Sequence, residues 1–301
     1  MATSRDIPMS KRLRYLLEFV VVWGLANLLK ILPVDASSAV GGAICRTIGP
    51  RLGVSRRAAR NIKRAMPDKT PAEIKSIVLG MWNNLGRNAA EALHLGNPDL
   101  FDKDNRFEIT GGEILDKMRD DGRGGIIFTA HIGNWETIGP LLFQRDMPLT
   151  TVYREANNPY VGAYLTKLRR DTNGARLVPK GASGARGLIT ALKSQHHLGL
   201  LVDQKLNDGI AIPFFGIDAM TAPALAQLAL RFDVPMVPVH CERIAGTRFR
   251  MIIEPPLELA GNDDKNANIE ETMRRVNAHM EQWIRAHPEQ WLWLHNRWPN
   301  E

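Results

Sequence analysis

A chain of 301 residues, 44% hydrophobic and 24% charged, is long enough to bury a full core and too apolar to be disordered throughout. Its two cysteines, Cys45 and Cys241, belong to no CxxC or Cys/His cluster, which argues against a disulfide framework or structural zinc and suits a reducing compartment. The formal net charge of +7 calls for an anionic partner, whether bilayer, nucleic acid or phosphorylated substrate.

Leu16 to Leu32 (LLEFVVVWGLANLLKIL) is an apolar run interrupted by Glu18, Asn27 and Lys30. A spanning helix needs roughly 20 mainly apolar residues, so the run is marginal. A basic lead resembles a signal peptide, but Pro33 ends the run without a small-residue cleavage site. A core helix of a soluble protein is the alternative. Against it, Trp23 and cations at both ends fit a membrane interface. Those cations give no clean positive-inside orientation, so a helix lying in one leaflet is preferred over a full span. Arg51 to Arg64 (RLGVSRRAARNIKR) adds six cations and no acid, suited to anionic headgroups at about 1 kcal/mol each. The nucleic-acid reading of this cluster is set aside because the apolar run beside it favours a bilayer. Residues 1–70 are therefore taken as a membrane-associating segment and 71–301 as one domain.

Thr70, Pro71 and Glu73 have the pattern of a helix start, and Ile74, Ile77, Val78, Met81, Trp82 and Leu85 follow at helical spacing over 71–95. Short apolar runs then predict strands at 124–130, 149–153, 198–203, 234–241 and 249–253. Helices are predicted from about Trp135, at 159–170, at 187–194 and at 222–232. This alternation predicts an α/β fold: a mixed, mostly parallel sheet flanked by helices, with an N-terminal membrane-associating helix.

The segment His131-Ile-Gly-Asn-Trp-Glu136 carries the candidate chemistry. His131 falls at the carboxyl end of a predicted strand, where open α/β sheets place their sites. Glu136, beyond the turn at Gly133, is expected to return to the imidazole, fix its tautomer and stabilise the imidazolium. Most pairs at this bare spacing do no chemistry; the strand end and the glycine turn favour this one. No neighbouring serine or cysteine offers a nucleophile, so direct transfer to a substrate hydroxyl is favoured over an acyl-enzyme. Arg154 either binds an anion or oxyanion, or forms a salt bridge. Asp203 either orients a base or cation, or caps a strand. In KGASGARG, from Lys180 to Gly187, backbone amides could meet a phosphate, but the spacing is not a P-loop and a simple turn is preferred. His196, His197 and His240 lack metal-ligand spacing, and Trp283, Trp291, Trp293 and Trp298 are read as packed core.

Four blocks in order resemble the lipid A late acyltransferases (lauroyl or myristoyl type) of Gram-negative bacteria, which share an HX4D/E motif with glycerol-phosphate acyltransferases. They are HIGNWE; Thr151-Val-Tyr-Arg154 with Asn158-Pro159; Leu201-Val-Asp-Gln204 with Pro213-Phe-Phe-Gly216; and Val234-Pro-Met-Val-Pro-Val239. The resemblance runs from the N-terminal apolar run to Trp291-Leu-Trp-Leu-His-Asn-Arg-Trp298. Glutamate rather than aspartate at 136 favours the lipid A branch.

The resemblance implies an acyltransferase domain over 71–301, with His131 and Glu136 catalytic and Arg154, Asp203 and Gln204 binding substrate. It implies no metal and no bound cofactor, acyl carrier protein (as acyl-ACP) as co-substrate, and a (Kdo-)lipid IVA-type lipid A precursor as acceptor. It also implies a place at the cytoplasmic face of the bacterial inner membrane. It carries no catalytic role onto His295, Asn296 or Arg297. Two alternatives remain: acylation of a glycerophospholipid or mannosylated inositol lipid, and a non-catalytic lipid-binding protein docked on a membrane.

Overall fold

The computed structural model describes residues 8–97, 99–102, 106–153, 156–261 and 263–298. Helices α1 (Met9–Ile31), α2 (Val34–Ile48), α3 (Gly53–Ala65) and α4 (Pro71–Glu91) come first. After the short α5 (Asp99–Asp102) come β1 (Phe107–Thr110), α6 (Gly112–Asp120), β2 (Ile126–Thr129), α7 (Ile138–Gln144), β3 (Leu149–Tyr153), α8 (Pro159–Asn173), β4 (Arg176–Pro179), α9 (Ala182–Lys193) and β5 (His197–Leu201). A hairpin of β6 (Lys205–Phe214) and β7 (Ile217–Thr221) precedes α10 (Ala224–Phe232), β8 (Met236–Ala245), β9 (Arg248–Ile253) and α11 (Lys265–Ala286).

Seven strands form one sheet in the order β1-β9-β8-β2-β5-β3-β4, every neighbouring pair parallel except β8 with β9. The expected α/β class and mixed, mostly parallel sheet are therefore present. β2 sits at the centre, and all four of its residues (IIFT) are buried, as a strand covered on both faces requires. Its alternate side chains feed two cores. Ile126 and Phe128 pack with residues of α4, α9, α10 and α11, and Ile127 packs on the opposite face with Leu115, Leu141 and Leu142 of α6 and α7.

The helix ends follow local chemistry. Thr70 and Glu73 close a capping box on α4, with the Thr70 N–H donating to Glu73 Oε2 at 2.8 Å. Asn158 caps α8, and Asp264 caps α11. The β6–β7 hairpin turns at Phe215-Gly216 with φ of 54° and 72°, as the right-handed strand twist favours. Phe215 is held in this unusual conformation by Glu281, which accepts its N–H at 2.5 Å, and by the Arg285 guanidinium 4.5 Å from its ring.

Ala58, Ile62 and Ala65 of α3 join the same core as the sheet. Helix α1 is bound more lightly. It buries Ala26 and Leu29 against Ala90 and Leu93, and sets Phe19 against Tyr160 and Tyr164 of α8. The Asn158 amide donates to the Tyr15 carbonyl at 2.8 Å. Much of the rest of α1 is apolar and exposed, including Leu17, Val21, Leu28 and Ile31. Among the described residues no helix is long and apolar enough to cross a membrane.

Candidate active site

β2 and β5 are parallel neighbours with Thr129 opposite Leu201, so each chain leaves the sheet at the same level and two residues later presents His131 and Asp203. Asp203 is 2% exposed. Its Oδ1 lies 2.8 Å from His131 Nδ1, and its Oδ2 accepts the His131 backbone N–H at 2.9 Å and the Trp291 indole N–H at 2.8 Å. Burial alone would raise the Asp203 pKa, but the opposing charge of His131 and these hydrogen bonds outweigh it and hold the carboxyl well below its ordinary range. A carboxylate at Nδ1 fixes the proton there and leaves the lone pair on Nε2. The Gln204 amide nitrogen lies 3.2 Å from His131 Nε2 and 2.8 Å from His295 Nε2, bridging the two imidazoles. The Trp135 ring meets the His131 ring edge-on at 5.1 Å.

The expected contact between His131 and Glu136 is not formed. Glu136 turns the other way in a 3-10 turn (Trp135–Thr137) and binds Arg169 of α8 in bidentate fashion, Oε1 to Nη2 at 2.5 Å and Oε2 to Nε at 3.2 Å. The physical reason is the route of the backbone between them. Gly133 has φ of +55°, and a Cβ there would stand 1.6 Å from the Cys241 carbonyl oxygen. The Gly133 N–H donates to the Gln290 carbonyl, and the Asn134 N–H to the Cys241 carbonyl. The turn is thus pinned to β8 and to the segment after α11, which points Glu136 toward α8. The carboxylate that meets the imidazole is that of Asp203, which the sequence offered as orienting a base or cation or capping a strand and the resemblance implied to bind substrate.

A buried polar network supports the turn from below. Asn84 and Asn88 of α4 both donate to the Gly133 carbonyl, at 2.8 and 2.6 Å. Asn134 donates to Glu91 at 2.6 Å, and Glu91 pairs with Arg243 of β8 at 2.6 Å. Arg243 also donates to Asn84 and Asn88. Asn84, Asn88 and Glu91 recur at i, i+4 and i+7 along α4, a buried polar stripe whose spacing the sequence displays.

The C-terminal segment, whose tryptophans were read as core and whose His295 was given no role, also lines the site. Ile132 bridges to Trp291, and the Leu292 N–H donates to the His131 carbonyl. Trp291 steadies Asp203, and His295 meets Gln204. Arg297 is fully buried, donating to Met220 O and Thr221 Oγ1 and lying 4.9 Å from the Phe214 ring; burial lowers its pKa to about 10. Trp283, Trp293 and Trp298 are packed core, as expected. His240 is buried and paired with Glu242. Arg154 lies outside the described residues. Among the described residues no group of three or more His, Cys, Asp or Glu is arranged to hold a metal ion.

An imidazole held by a buried carboxylate at the carboxyl ends of two parallel strands is the arrangement of a general base. The chain matches the bacterial lipid A biosynthesis acyltransferase family over residues 7–300 and belongs to it. It is an acyltransferase that acts on a lipid acceptor. Among its relatives is a phosphatidylinositol mannoside acyltransferase of Mycolicibacterium smegmatis, 25% identical over 79% of this chain and 78% of the relative. Another is a lipid A biosynthesis acyltransferase of Haemophilus influenzae, 22% identical over 89% of this chain and 83% of the relative. Among solved structures, the chain is similar to the 1-acyl-sn-glycerophosphate acyltransferase PlsC of Thermotoga maritima, with a TM-score of 0.40 and 14% identity over 83% of this chain and 95% of that one.

Proposed function

We propose that this acyltransferase moves a fatty acyl chain from acyl-ACP to a hydroxyl of a (Kdo-)lipid IVA-type lipid A precursor, with His131 as general base and Asp203 as its orienting carboxylate. The observation that carries the mechanism is the 2.8 Å contact between His131 Nδ1 and the buried Asp203 carboxylate, which leaves Nε2 free of its own proton. In this reading Nε2 takes the acceptor hydroxyl proton and the oxygen attacks the thioester carbonyl. The tetrahedral intermediate collapses, expelling the thiolate, which recovers the proton from the imidazolium. Ester and thiol are the products. The thioester is already activated, so the scheme needs no further co-substrate. Gln204, bridging His131 to His295, covers the Nε2 lone pair until the acceptor hydroxyl takes its place. Glu136 has a different part: its pair with Arg169 fixes α8 beside the HIGNWE turn. Arg154 remains proposed as an anion or oxyanion binder.

The exposed apolar residues of α1, with Lys11, Arg12, Arg14 and Lys30, support association with the cytoplasmic face of the inner membrane, the helix lying in one leaflet. Substituting His131 with Ala in purified, folded protein and following acyl transfer by mass spectrometry tests the reading; unchanged turnover sinks it. A mannosylated inositol lipid is the second acceptor to try, because the mycobacterial relative matches at 25% identity. A panel of both acceptors with one acyl thioester separates the two.

A further inference from the structure

The charge of this chain is unevenly placed. From Ala36 to Pro67 there are seven cations (Arg46, Arg51, Arg56, Arg57, Arg60, Lys63 and Arg64) and no acid. Helix α3 carries five of them. Its buried residues, Ser55, Ala58, Ile62 and Ala65, recur at helical spacing and face the protein core. Its exposed residues are Gly53, Arg56, Arg60 and Lys63, so no large apolar side chain within the helix is exposed. Among the described residues Arg56, Arg60 and Lys63 have no acidic partner, although Lys63 donates to the Pro67 carbonyl. A ridge of uncompensated cations on a small protein is costly to keep without a partner and steers oppositely charged macromolecules.

The other side of the same helix borders the site. Asn61 donates to the carbonyls of Trp293 and His295, at 2.9 and 2.7 Å, and Arg57 to that of Leu294 at 3.3 Å. His295 in turn shares Gln204 with His131. A body seated on the exposed face of α3 is therefore one helix away from the backbone that walls the general base.

We propose that the exposed cationic face of α3 is the docking surface for an acidic carrier protein that presents the acyl thioester to His131. The inference rests on the acyl-thioester reading above. A carrier is favoured over the bilayer because the two surfaces differ in kind. A helix seated on lipid shows large apolar side chains beside its cations along its length, as α1 does, whereas the exposed side chains within α3 are cations, with the apolar Leu52 exposed only at its N-cap. Such a surface suits a hydrated acidic protein, which is recruited by charge complementarity and released again after each transfer.

The test is the double variant Arg56→Glu/Arg60→Glu, assayed with two donors: an acyl carrier protein charged with the chain, and the same chain on free pantetheine. The expected result is kcat/KM lowered about 10- to 100-fold for the carrier-borne donor, mostly through KM. Transfer from acyl-pantetheine, the circular dichroism spectrum and co-sedimentation with phosphatidylglycerol vesicles should be unchanged. In the wild type the carrier KM should rise with salt, and in the variant this dependence should flatten. An unchanged carrier KM overturns the proposal. So does lost vesicle binding with normal carrier kinetics, which would give the face to the bilayer. Equal loss with both donors overturns it too, by showing that α3 acts on the site itself. Wild-type protein that uses acyl-pantetheine but not the carrier removes the partner and spares acyl transfer; wild-type protein inactive with either donor removes the reading beneath it.

Discussion

Substituting Asp203 with Asn alters one atom of a carboxylate that accepts three hydrogen bonds. Two donors, the His131 backbone N–H and the Trp291 indole, converge on Oδ2. The single amide oxygen is needed there, which sets the amide nitrogen 2.8 Å from His131 Nδ1, where Oδ1 now lies. Two N–H groups cannot face each other at that distance, so the imidazole moves its proton to Nε2 and ceases to be a base toward the substrate. The imidazolium formed during reaction also loses its counter-charge. The comparable change in a Ser-His-Asp triad costs about 10^4-fold in kcat, or roughly 5.5 kcal/mol of transition-state stabilisation. The same loss is expected here, with KM for the lipid little altered because Asp203 is nearly inaccessible. Initial rates of ester formation, followed by mass spectrometry on folded protein, measure it. If Asp203→Asn kept more than about a tenth of wild-type kcat while Glu136→Gln lost about 10^4-fold, the orienting role would return to Glu136 and the reasoning would be refuted.

Three further outcomes follow from the geometry. Gly133→Ala must adopt a positive φ and displace the Cys241 carbonyl, so urea unfolding should show a loss of about 2–4 kcal/mol; wild-type stability would mean the turn is not pinned. Glu91→Gln strands the Arg243 guanidinium in a site where the two side chains are 2% and 9% exposed, at about 3–5 kcal/mol. The double variant Glu91→Gln/Arg243→Met should be more stable than Glu91→Gln alone, and strict additivity of the two changes would argue against a coupled pair. Glu254 lies 2.9 Å from His279 and accepts the Trp283 indole N–H at 2.8 Å; burial would raise its carboxyl pKa, but these partners hold it below the ordinary 4.5. Its contribution is present above pH 4.5 and disappears as pH falls through the depressed folded value. Glu254→Gln should therefore lower Tm at pH 7 and converge with wild type in acid. A gap constant with pH would assign the effect to packing.

What the sequence disclosed, and what it hid, follows from range. β2, β3, β5, β8 and β9 are legible because buried central strands read as apolar runs between turn residues. β1 (FEIT) and β4 (RLVP) are short edge strands with exposed positions, and neither has such a run. The stripe Ile269, Met273, Val276, Met280 and Trp283 marks α11, but its charged neighbours dilute the signal. The histidine was legible from its strand end, whereas a base-orienting role for Asp203 was one of two readings and its pairing with His131 was not legible. Glu136 is near in sequence, and proximity along the chain suggested proximity in space; Arg169 and Asp203 compete from 33 and 72 residues away. Strand pairing decides that competition, and no local pattern encodes it. The capping box on α4 depends on four adjacent residues, and it formed as read.

The Trp291 indole that steadies Asp203 follows His131 by 160 positions (131 to 291). During synthesis the sheet can therefore assemble well before its reactive centre is finished. Until residues 291–298 arrive, the imidazole lacks the bridge at Ile132, the indole behind Asp203 and the second ring beyond Gln204. A ribosome-bound chain halted short of this segment would lack both the setting of the histidine and the Trp291, Trp293 and Trp298 side chains of the main core. Chemical competence thus comes late on the translational clock, together with the last side chains of the core.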